Sequence, residues 1–128
     1  MVINYLAIAL GTALNIALAK LWYGFLFNDL WRSLTNRTAN EKPAKLQMFI
    51  ALIFALLMSM GVNSVVQLCS ITDMAHGVLM AAIIGIFIVT PIILGEWIWD
   101  KKSLTLVLLN TGFYVIYLVA TFSIFMVL

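Results

Sequence analysis

Charge is the scarcest commodity in this chain: among 128 residues there are seven Lys or Arg and five Asp or Glu, against 65% hydrophobic residues. At a mean hydropathy of +1.13, a soluble domain of this length would lack the polar surface that prevents aggregation. The composition therefore demands a bilayer. A net charge of +2 confined to connecting segments provides no polyanion-binding surface, so nucleic acid is not an expected partner. The single cysteine, Cys69, excludes an internal disulfide and leaves either a small apolar packing residue or an intermolecular bridge or reactive thiol. The single histidine, His76, stands near Asp73 but lacks the further ligands a zinc site needs. No HExxH motif, nucleophile elbow, P-loop or dinucleotide fingerprint is present. The expectation is a chain with no catalytic residues, no metal and no cofactor, and hence no enzyme. No acidic residue falls midway along an apolar run, which argues against a pump that carries protons on a buried carboxylate.

What the sequence does hold is four apolar runs, each long enough to cross the hydrocarbon core as a helix. They predict spans over about residues 2–26, 43–69, 74–98 and 104–127. The first lacks the basic start of a secretory signal and is too long for one, so a retained helix is expected. Between the first two spans, Leu30, Trp31 and Leu34 recur at helical spacing behind Asn28 or Asp29 as N-cap, predicting a short helix over 29–36 on the membrane surface. Pro43 fits the first turn of the second span, where a missing N–H costs nothing. Thr72 or Asp73 caps the third span, and Ser103 the fourth. Short connections force antiparallel neighbours, so the fold class is all-α: an integral membrane, up-down bundle of four transmembrane helices in a single domain.

Orientation follows from the basic residues. Arg32, Arg37, Lys42, Lys45, Lys101 and Lys102 occupy the first and third connections, Lys20 lies at the same end of the first span, and the second connection and both termini hold none. The positive-inside rule places both termini outside the cytoplasm, and the bacterial-type usage points to a multi-pass protein of the bacterial plasma (inner) membrane.

Polar and small residues within the spans carry the remaining information. Ser59, Asn63 and Gln67 form one stripe, and Asn110, Tyr114, Tyr117 and Thr121 another; each must face protein or water, either to fix helix rotation or to line a cavity. Gly77, Ala81 and Gly85 form a smooth stripe on the third span, and Ala7, Gly11 and Asn15 share a face of the first. These small-residue faces, centred on Gly11, Gly77, Ala81 and Gly85, either close the monomer or support a homo-oligomer. Thr90-Pro91 predicts a kink in the third span. Lys20 and Glu96 lie roughly 27–29 Å from the outer starts of their helices, so they share a depth where they either pair or separately reach water.

The motif LWYGFLFNDLW closing the first span, and DKKSLTLVLLNTGFY leading into the fourth, resemble the small four-helix bacterial membrane proteins of domain of unknown function family 1761. The resemblance covers essentially the whole chain and rests on Trp22-Tyr23, Trp31, Asp100, Asn110, Gly112 and the pair Phe113-Tyr114. The chain departs from the usual form at Asp100-Lys101-Lys102, where Glu followed by Gly or Arg is commoner. The resemblance implies fold and location without a biochemical activity, and it suggests that Trp22, Tyr23, Trp31, Asp100 and Asn110 form one neighbourhood. With Tyr114 added, these are the candidate ligand-binding residues of a non-enzymatic, homo-oligomeric bundle that binds or passes a small solute or lipid. The alternative is an accessory or assembly subunit docked on a larger membrane complex.

Overall fold

The computed structural model describes residues 3–35 and 45–128, which are helical throughout except at the turns and ends. Four helices are long and apolar enough to cross a membrane: α1 (Tyr5–Leu26), α3 (Lys45–Leu68), α4 (Met74–Trp99) and α5 (Leu104–Val127). Between α1 and α3 comes the short α2 (Asn28–Thr35), one residue earlier than expected and strongly amphipathic. Arg37, Glu41, Lys42 and the placement of Pro43 lie outside the described residues. The expected caps form: Asp73 accepts from the His76 backbone N–H at 3.3 Å, and the Ser103 hydroxyl accepts from that of Leu106 at 3.0 Å. Each satisfies an amide that the helix itself leaves without a partner.

The helices are antiparallel in succession, and α5 is the hub. It packs against α1, α3 and α4, whereas α1 packs mainly on α3 and α5. Accordingly 39% of the most apolar stretch of α5 is buried, against 22% to 28% in the other three. Tyr117, Phe122, Val107 and Thr121 of α5 are wholly enclosed, and the outward faces of the bundle expose Leu, Ile and Phe, as a lipid-facing surface should.

Small residues set how closely the helices approach. A Cβ added at Gly11 would lie 2.4 Å from Ser59 Oγ and 3.1 Å from a Thr121 methyl; at Gly77 it would meet the Met126 side chain. Gly85 abuts Val115, and Ala81 is completely buried. These stripes pack within the chain's own bundle.

Polar residues fasten this packing. Ser59 Oγ donates to the Ile8 carbonyl at 2.8 Å, Asn63 Oδ1 accepts from the Asn4 amide at 3.1 Å, and Tyr117 donates to the Gly11 carbonyl at 3.2 Å. Ser59 and Asn63 thus fix helix rotation, while Gln67 is only half-buried at the helix end. Cys69 is exposed just beyond α3 and does not pack in the core.

The Thr90-Pro91 interruption takes a definite form. The turn before it, Ile84–Val89, is π-helical, and the Thr90 hydroxyl donates to the Gly85 carbonyl at 2.7 Å. Widening the helix accommodates the proline ring and the N–H it lacks.

Candidate functional site

The end of the bundle that carries Lys20, α2 and the α4–α5 turn is built differently. Here α1 finishes in a second π-helical turn, Trp22–Leu26, closed by the Phe27 amide donating to the Trp22 carbonyl at 2.9 Å. The turn directs two adjacent aromatic side chains at α5. Trp22 Nε1 donates to the Leu109 carbonyl at 3.1 Å, and the Tyr23 hydroxyl donates to Asn110 Oδ1 at 2.7 Å. The Trp22 ring also rests on Gly112, where an added Cβ would lie 3.1 Å from it. Tyr23 packs at once on Trp31 of α2, with centroids 5.7 Å apart, and on Phe113 of α5 at 5.4 Å. The Asn28 side-chain amide donates back to the Tyr23 carbonyl at 3.2 Å, fixing the start of α2.

The neighbourhood expected from the sequence is therefore largely assembled. Tyr23 meets both Asn110 and Trp31, Trp22 reaches the neighbouring Leu109 carbonyl, and Tyr114 joins them through an edge-on contact with Phe113 at 5.2 Å. Asp100 does not join: it is the exposed C-cap of α4, and its side chain takes part in none of the hydrogen bonds or ring contacts among the described residues that bind the cluster.

The pairing of Lys20 with Glu96 does not form either. Glu96 accepts from Lys102 Nζ at 3.2 Å, an exposed pair across the α4–α5 turn. α5 stands between α1 and α4 and keeps the two residues apart.

Lys20 instead lines a cleft of about 800 Å³ between α1, α2 and α3. Ile16, Ala19, Met48, Ala51 and Leu52 give it an apolar wall, while Asn15, Lys20, Asn28 and Arg32 supply its polar positions, with Tyr23 and Trp31 alongside. No carboxylate lines it among the described residues. The sequence reading named Tyr23 and Trp31 but missed the cleft's α3 side. Nothing in the apolar run Met48 to Leu52 marks it as different from any other lipid-facing turn. A smaller cleft of about 360 Å³, lined by Cys69, Ser70, His76 and Met80 among others, opens at the opposite end. His76 there is held by a hydrogen bond to Asp73. No group of three or more His, Cys, Asp or Glu side chains among the described residues is placed to hold a metal.

Comparison with known families gives one match, to the family described as Protein of unknown function (DUF1761), over residues 6–126. The chain belongs to the DUF1761 family. That span takes in all four membrane-crossing helices of this DUF1761 protein nearly from end to end, together with α2 and the aromatic cluster. No curated protein and no solved structure matches it.

Proposed function

We propose that this DUF1761 protein is a non-enzymatic membrane binding protein that takes a small amphiphilic molecule or lipid into the cleft between α1, α2 and α3. The observation that carries the proposal is the cleft itself: an apolar wall on two spanning helices meets a polar, aromatic rim at one end of the bundle. That pairing suits a ligand with a polar head and an apolar body. Binding is favoured over passage because in the opposite half the buried Ser59 and Tyr117 hydroxyls hold helices together, donating to the Ile8 and Gly11 carbonyls. Passage would need a homo-oligomer, with a path formed between copies. On the positive-inside rule the cleft faces the cytoplasm of a bacterial inner membrane, with both termini on the far side.

Photo-crosslinking in reconstituted bilayers tests the reading. With a phospholipid carrying a diazirine on its acyl chain, adducts should concentrate on Ile16, Met48 and Leu52, and Ala51→Trp, which fills the cleft from an exposed position, should deplete them several-fold. Adducts spread evenly over the lipid-facing sides of α3 and α4, unchanged by Ala51→Trp, would refute it.

A further inference from the structure

The cleft carries information about the head of its ligand as well as its body. Lys20 and Arg32 both line it, from α1 and α2 respectively. Neither side chain hydrogen-bonds or ion-pairs with any described residue, although both have abundant donors. Their position is costly for a free cation: Lys20 lies about 24 Å along the helix from Asn4, close to the edge of a hydrocarbon core about 30 Å thick. An ammonium at that depth is stabilised by reaching toward headgroups or by meeting an anion. The guanidinium of Arg32 adds a planar fork that matches the oxygens of a phosphate or carboxylate. Asn28, Tyr23 and Trp31 surround the same mouth.

Resting on the cleft reading above, we propose that the occupant is an anionic lipid, its headgroup oxyanion held between Lys20 and Arg32 and its acyl chain laid along Ile16, Met48 and Leu52. A soluble anion would leave that wall in contact with water. A zwitterionic lipid would bring its own cation to a mouth already holding two. The α4–α5 turn offers a built-in contrast, since Lys101 and Lys102 lie at the same end of the bundle but outside the cleft.

Native mass spectrometry of the full chain released from micelles containing equal phosphatidic acid and phosphatidylcholine supplies the test. The expected result is retention of phosphatidic acid over phosphatidylcholine by roughly tenfold or more. Lys20→Gln with Arg32→Gln should abolish that preference, and Lys101→Gln with Lys102→Gln should preserve it. Equal retention of the two lipids by the unmodified chain overturns the proposal, as does a preference lost equally in both double variants, which would mark general attraction of anionic lipid to a basic surface. Displacement of bound lipid by millimolar inorganic phosphate would assign the site to a soluble oxyanion and also overturn it. The Ala51→Trp variant separates this proposal from its foundation. If it eliminates retention of a lipid for which the chain shows no headgroup preference, the cleft stands and the anion does not; if retention is unaffected, the cleft itself is wrong.

Discussion

The two halves of this bundle solve the same packing problem with opposite materials. In the half near the termini, glycine, alanine and serine let backbones touch, and short polar side chains reach directly from one helix to the next carbonyl. In the basic half, Trp22, Tyr23, Trp31 and Phe113 hold helices together through large rings, and α1 ends in a widened turn that aims them. Where small residues face another helix they leave no room, because a Cβ added at Gly11 or Gly77 meets a neighbour. Large rings bridge helices at a distance and leave concavities beside them. The larger of the two clefts described, about 800 Å³, lies in the aromatic half beside the junction of α1 and α2, against about 360 Å³ in the other half.

The contrast is sharpest in two glycines of the same helix. At Gly11 a methyl group would be forced to 2.4 Å from Ser59 Oγ, which is itself bound to the Ile8 carbonyl and has little freedom to retreat. Gly11→Ala should therefore cost about 1–3 kcal/mol, read as a loss of unfolding free energy in a steric-trapping or detergent titration. An unaltered stability would mean that the close approach of α1 and α3 is not what holds this half together. In the other half the expected loss is smaller. Tyr23→Phe removes the 2.7 Å bond to Asn110 while keeping both ring contacts, so it should cost about 0.6 kcal/mol, with faster amide exchange across 22–26 as the more sensitive signal. Finally, a Cβ at Gly24 meets nothing within 4 Å, so Gly24→Ala should change stability by less than about 0.5 kcal/mol. A loss at Gly24 equal to that at Gly11 would erase the distinction between the halves.

How much of this could be read in advance depends on whether the information is local. The four spans, the Asp73 and Ser103 caps and the disruption before Pro91 were all legible, because hydropathy, capping and proline chemistry act over a few residues. The grouping of Trp22, Tyr23, Trp31 and Asn110 was legible too, though only through family likeness; nothing in their spacing shows that Tyr23 and Asn110 bond. Lys20 and Glu96 show where depth alone fails. Rise per residue gives height in the membrane, but the order of helices around the bundle decides who meets whom, and that order places α5 between them. The π-helical turn at Trp22–Leu26 has no proline to announce it. The α3 wall of the cleft was invisible for a related reason, since an apolar residue facing a cleft and one facing lipid read identically.

The central place of α5 also dictates a sequence of events as the chain enters the bilayer. α1 and α3 can join as soon as both are inserted, because Ser59 finds the Ile8 carbonyl without help from any later segment. α4 finds its main partner only in the helix that follows it. Until then its glycine face is an unclaimed adhesive strip, so the interval between insertion of the third and fourth spans is when this protein is most open to mispairing with a stranger.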